Sequence, residues 1–286
     1  MKPTTAPEPT HPFDAALALT RQDACRYLGS THPAWANMVG PFGGITAATV
    51  TQAILDHSEC LGEPVSLTVN FAAAIANGPF ELNLRIARTN RSTQHWVFEI
   101  LQTQKDGSVE SVFTGTAMTA ARRETWSAND LPMPEVPRPE TLEASNIPQG
   151  VEWLTRFDMR GVAGGLPQTW DGAESTLSSE KASLTQLWVR DRAGRAMDFA
   201  ALTAFADIFF PRVWGRRAKW VPAGTVSMTV YFHANSAQLS DVGSGFVLAQ
   251  ARGQVFRNGF FDQSGCLWSE AGVLLATTHQ LVYYKE

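Results

Sequence analysis

Residues 65–73 read VSLTVNFAA and residues 226–234 read VSMTVYFHA, identical at six of nine positions. The match fixes an internal duplication, and a duplication constrains the fold more than composition does, because the second half must rebuild what the first half builds. An Ala-rich apolar segment precedes each copy, over 44–56 and 198–210. Each copy is followed by a strand-like run, a turn and a last strand. Asp106-Gly107 introduces the run 108–118, and Ala271-Gly272 introduces 273–284. Such dipeptides supply the turns that join antiparallel strands. Between the copies, residues 129–150 hold five prolines (Pro132, Pro134, Pro137, Pro139 and Pro148). Neither a helix nor a sheet interior tolerates that density, so a linker is expected there. The organisation implied is an N-terminal repeat over 12–125, a linker over 126–150 and a C-terminal repeat over 151–286.

Periodicity gives the elements of one repeat. Val65, Leu67, Val69 and Phe71 alternate with Ser66, Thr68 and Asn70, which predicts a strand with one apolar and one polar face. Its partner alternates Val226, Met228, Val230 and Phe232 with Ser227, Thr229, Tyr231 and His233. By that parity Thr225 belongs to the polar face. Residues 197–211 predict one long helix, with Asp198 as N-cap and Pro211 as its stop. It is apolar nearly all round and is expected to be buried. A buried helix followed by antiparallel strands, twice over, is an α+β architecture.

Composition removes several function classes. Lys plus Arg number 23 against 27 Asp plus Glu, a net charge of -4 in 286 residues. A broad basic surface for nucleic acid is therefore excluded, though not a local cluster for a small anion. Cys25, Cys60 and Cys266 are too scattered for a disulfide framework or a zinc site. No apolar run is long enough to span a membrane. Residues 1–12 are polar and Pro-rich, so a secretory signal is not expected and a cytoplasmic location is. No Gly-x-Ser-x-Gly elbow and no His-Glu-x-x-His occurs.

Phe42-Gly43-Gly44, the two VS(L/M)TV strands and the ending Gly272-Val-Leu-Leu-Ala-Thr-Thr-His-Gln280 resemble the acyl-CoA thioesterase II family. The resemblance runs from about Phe13 to Tyr284. It implies a double hotdog, each repeat a curved antiparallel sheet wrapped around a central helix. It also implies hydrolysis of an acyl-CoA thioester, a reaction of fatty-acyl metabolism that needs no cofactor and no metal. In the family an Asp, a Thr and a Gln position the attacking water. The Asp sits on the second repeat's helix, matched here by Asp207. The Thr opens the following strand, matched by Thr225, and the Gln closes the last strand, matched by Gln280. The chain departs from the family pattern at Ser227, where an Asp is common, and at Ile45, where an amide is common.

The residues carry part of this reading unaided. Asp207 is the sole ionisable side chain between Phe199 and Phe210, in a segment expected to be buried. A carboxylate there must be compensated, and buried carboxylates with shifted pKa values concentrate at functional sites. Pairing with Arg212 is the structural alternative. Gln280 can both donate to and accept from a water. Gly43 and Gly44 would let a carbonyl approach the N–H groups of the first helix. Arg212, Arg216 and Arg217, with Lys219, form a cluster suited to the phosphates of coenzyme A, and Arg88 with Arg91 a smaller one. Phe209, Phe210, Trp214, Trp220 and Phe232 are candidates to line an acyl tunnel. Two other readings stand beside hydrolysis. One is a non-catalytic acyl-CoA or lipid-binding protein, which Ser227 keeps open. The other is an acyl-CoA hydratase, disfavoured because the nearest His to Asp207 is His233, on a strand. Sheet edges at the ends of the unit lead to the expectation of a homodimer or tetramer.

Overall fold

The computed structural model describes residues 11–146 and 150–286. The polar opening over residues 1–10 and Pro148 of the linker lie outside the described residues. In chain order the first half carries α1 (Pro12–Leu17), β1 (Thr20–Arg21), β2 (Arg26–Ser30), α2 (Gly43–Leu55), β3 (Glu63–Phe71), β4 (Pro79–Thr89), β5 (Thr93–Thr103) and β6 (Val109–Ala120). The second half carries β7 (Phe157–Ala163), β8 (Thr185–Asp191), α3 (Phe199–Phe205), α4 (Arg212–Arg217), β9 (Ala223–Phe232), α5 (Ser236–Val242), β10 (Val247–Arg257), β11 (Phe260–Ser269) and β12 (Leu274–Tyr284). Both predicted turns form, with Gly107 at φ +85° and Gly272 at φ +84°, a region that glycine enters without steric cost.

The strands join one antiparallel sheet in the order β1-β2-β4-β5-β6-β3-β9-β12-β11-β10-β8-β7. Its centre is the duplicated peptide paired with itself. Thr68 on β3 faces Thr229 on β9, its counterpart in the repeat, with the two hydroxyls 3.0 Å apart. On either side, Ser66 faces Tyr231 and Asn70 faces Ser227, which exchange counterparts in the same way. A local two-fold axis therefore passes between Thr68 and Thr229. The helices follow it, with the hydroxyls of Thr51 on α2 and Thr203 on α3 meeting at 3.1 Å. α2 and α3 pack side by side against the inner face of the sheet, and one contiguous apolar core includes residues of both halves. α2 is buried nearly all round, as its lack of a polar stripe requires. This is a double hotdog of α+β class.

The second repeat departs from the predicted single long helix. Asp198 caps α3 as expected, accepting from the Ala201 N–H at 2.7 Å, but α3 ends at Phe205. The residue before a proline is biased out of helical conformation, and Pro211 has no N–H to donate. These constraints reach back to Phe210 and the Asp207 carbonyl and keep the helix from resuming there; the chain passes through Asp207 to Phe210 and restarts as the short helix α4 behind Pro211.

Residues 121–138 carry no helix or strand; 121–130 are exposed, and 131–137 lie against the face of the second half-sheet turned away from the helices. The Trp188 and Trp268 indole N–H groups donate to the Pro137 and Leu131 carbonyls at 2.9 and 3.3 Å. Met133 and Val136 pack against the cluster formed by Trp188, Phe246, Leu248 and Trp268. An outer sheet face can be this apolar because the connecting segment covers it. No helix among the described residues is long and apolar enough to cross a membrane.

Candidate active site

Asp207 stands in the turn just beyond α3, not on the helix itself. The crossing of the two helices brings it to the N-terminus of α2, where the Gly44 backbone N–H donates to its carboxyl. The amide of Gln280 donates to its Oδ1 at 3.0 Å. Burial raises its pKa to about 7, against the lowering pull of the Gln280 amide and the Gly44 N–H. A helix N-terminus favours the ionised form, so two opposing influences set this carboxyl near neutrality. No ion pair joins Asp207 to Arg212 among the described residues.

Gln280 lies on β12, 5% exposed, directly across from Met228 of β9. Its amide nitrogen also approaches the Ala206 carbonyl and the Met228 sulfur, each at 3.3 Å. Thr225 is not on the polar face that simple alternation assigns to it. The β9–β12 register shifts so that Ser227 faces Leu281 while Thr225 faces Val282. Val226 is thus the extra residue of a β-bulge, and Thr225 turns to the same inner face as Met228, Gln280 and Val282. Its hydroxyl then lies 3.5 Å from Gln280 Oε1. The structure brings Asp207, Thr225 and Gln280 together.

All three line a cavity of about 730 Å³ between the second half-sheet and the segments around 37–42, 145–166 and 207–224. Asp207 is the sole ionisable side chain lining it among the described residues. Phe209, Phe210, Trp214 and Trp220 line it as expected. Phe232 does not. It is 3% exposed in the core, edge-on to Phe199 at 5.8 Å.

Gly43 and Gly44 do not line the cavity; the group that approaches them is Asp207. A Cβ on Gly43 would sit 2.8 Å from Asp207 Oδ2, and one on Gly44 would sit 2.7 Å from the Ala204 carbonyl oxygen. The arginine cluster is also rearranged. Arg212 is 1% exposed, its guanidinium lies 4.1 Å over the Phe210 ring, and its Nε–H donates to the Phe210 carbonyl. Burial lowers its pKa to about 9, so it stays charged at neutral pH, but it does not line the cavity. Arg216 pairs with Glu174 and Arg217 with Glu286, one helix turn from the cavity-lining Trp214. Arg88 is exposed, bonds Asn90 and does not line the cavity. His233 bonds Thr277 and is likewise absent from the cavity. No group of three or more His, Cys, Asp or Glu side chains among the described residues is arranged to hold a metal ion.

Sequence reasoning passed over Gln263 and Trp153, both of which line the cavity. Gln263 faces Gln280 across β11 and β12. Alternation along β11, Phe261-x-Gln263-x-Gly265, was the available signal, since it sets a lone amide on an otherwise apolar inner face.

Residues 31–120 match the family described as the acyl-CoA thioesterase N-terminal domain, and residues 130–284 match the acyl-CoA thioesterase C-terminal domain. Among solved structures, a hotdog-fold protein of unknown function from Alicyclobacillus acidocaldarius is 42% identical over 97% of this chain and 99% of its own, with a TM-score of 0.87. A protein of Thermobifida fusca named for a thioesterase II aligns with a TM-score of 0.78 at 22% identity, over 96% of this chain and 97% of its own. An acyl-CoA thioesterase II from Mycobacterium marinum aligns at 0.72 and 18% identity, over 96% and 98%. The last two likenesses show the fold alone. No curated protein matches the chain.

Proposed function

The chain belongs to the acyl-CoA thioesterase family, and from that premise we propose that it hydrolyses acyl-CoA thioesters with a water held by Asp207, Thr225 and Gln280. The observation that carries this reading is the carboxyl of Asp207, near neutral pKa, in a cavity with no other charged side chain among the described residues. A carboxyl so placed is matched to accepting a proton from water at physiological pH. Gln280 holds Oδ1 by its amide N–H, which leaves its Oε1, close to the Thr225 hydroxyl, to accept from the same water.

In the proposed step the water oxygen forms a bond to the thioester carbon while its proton passes to Asp207. The carbonyl then re-forms, the C–S bond breaks, and Asp207 returns the proton to the departing sulfur. The products are a free carboxylic acid and the thiol of coenzyme A. The apolar walls suit an acyl chain, and Arg216 and Arg217 would meet phosphates on releasing Glu174 and Glu286. Arg212 has no part in this. The hydratase reading is weakened because no His lines the cavity among the described residues.

The test is thiol release from a panel of acyl-CoAs, short to long, by wild type and Asp207→Asn. Release that falls by about 10²–10⁴-fold in the variant supports the proposal. No release by the folded wild type, with acyl-CoA still bound, favours the binding-protein reading instead.

A further inference from the structure

Resting on the hydrolase reading, we propose that Gln263 donates the hydrogen bond that polarises the substrate's thioester carbonyl. A hydrolase of this kind needs a donor aimed at the oxygen on which negative charge develops. The N-terminus of α2 is the obvious source from sequence, but the Gly44 N–H is committed to Asp207, and Gly43 is filled by the same carboxyl. Among the described residues, two buried side-chain N–H groups of cavity-lining residues have no partner: Gln263 Nε2 and Trp153 Nε1.

Gln263 is the one built beside the reacting centre. It is 2% exposed and stands directly across from Gln280, on the same inner face. Its neighbour on the other side is Gly253 of β10, which has no side chain to engage it. A buried amide without a partner weakens a fold, so its place on a cavity wall calls for a ligand that completes it. Adjacent strands lie ~4.8 Å apart, so the two side chains are close enough to serve one bound acyl group. Gln280 then serves the water, and Gln263 serves the oxygen that the water's attack leaves negative. Gln263 keeps its protons throughout. Trp153, stacked on Phe42 with ring centroids 4.0 Å apart, belongs to the wall opposite the sheet.

The experiment compares wild type with Gln263→Met, which keeps length and loses the N–H, with Gln263→Glu as a second variant and Trp153→Phe as a control. Steady-state kinetics on one acyl-CoA are read together with Tm. Affinities are read for two non-hydrolysable analogues, a ketone with CH₂ in place of sulfur and a thioether with CH₂ in place of the carbonyl. We expect kcat to fall about 10²-fold or more in Gln263→Met and Gln263→Glu, with KM within about threefold. Tm should hold or rise in Gln263→Met, since an unpartnered amide gives way to an apolar group of similar shape. Wild type should prefer the ketone over the thioether by about tenfold, and Gln263→Met should lose that preference. A kcat within about threefold of wild type in Gln263→Met overturns the proposal. So does a loss confined to Trp153→Phe, or a fall in kcat and Tm together with the ketone preference intact. If wild type releases no thiol at all, the hydrolase reading fails separately. The analogue pair still reports whether Gln263 holds a carbonyl oxygen.

Discussion

At the residue scale, the chemistry depends on how one carboxyl is balanced. With the Asp207 pKa near 7, activity should rise with pH along a single limb with its midpoint at about pH 7, measured as kcat/KM between pH 5 and 9. A midpoint near 4 would mean that the carboxyl is solvated and not poised as described. The same shift has a stability consequence of definite sign. The folded-state pKa lies above the unfolded value, so the folded state binds the extra proton between about pH 4 and pH 7. Stability is therefore lost as pH rises through that window and is lowest above it. Asp207→Asn should stabilise the fold at pH 8 by at most about 4 kcal/mol for a shift of this size, read as a higher Tm, while turnover falls by about 10²–10⁴-fold. At pH 4 the two proteins should melt together. Such a trade is characteristic of a group retained for function at the expense of the fold.

At the element scale, two local irregularities assemble the site, and neither is written in the hydrophobic pattern. Alternation correctly marks β9 as a strand but puts Thr225 on its polar face, because a period of two cannot register an inserted residue. The bulge at Val226 restores Thr225 to Gln280. The β3–β6 register shifts at the equivalent place, between Pro64 and Ser66, so the device belongs to the duplicated unit. Likewise, a run of apolar residues over 199–210 reads as one helix, whereas α3 stops at Phe205 and leaves Asp207 in the turn beyond it, ahead of Pro211. What sequence did convey was local chemistry: the repeated strand, the Asp198 cap, the turn glycines and the isolation of Asp207. What it missed, Arg212 buried on Phe210 and Gln263 facing Gln280, depends on cross-strand neighbours that no single segment specifies. Helix α2 supplies a test at this scale. Gly43→Ala places a methyl against Asp207 Oδ2 and the Phe71 ring, and should cost about 1–3 kcal/mol in chemical denaturation with a kcat loss of about tenfold or more. An unchanged kcat would separate Gly43 from the positioning of Asp207.

At the scale of the whole molecule, the local two-fold through Thr68 and Thr229 relates two halves that are equal in fold and unequal in chemistry. The position that faces Leu67 across β3 and β6, corresponding to Gln280 facing Met228, is Ala117, and Pro64 stands where Thr225 stands. A tight carbonyl-bearing inhibitor should accordingly titrate one site per chain by calorimetry, and a stoichiometry of two would contradict this asymmetry. We further propose a homodimer or tetramer in solution, to be read as mass by light scattering at micromolar concentration; a monomeric mass rejects it. The site itself is shared between the halves, since Asp207 comes from the second and the Gly44 N–H that holds it comes from the first. The segment between β6 and β7 therefore does more than cover a sheet face. It is a tether that keeps two reagents at a fixed, high effective concentration, so turnover per molecule should not change on dilution. Cutting the chain there would turn an intramolecular assembly into a bimolecular one. Below the dissociation constant of the two fragments, the rate would fall with the square of their concentration, and adding either fragment in excess would restore it.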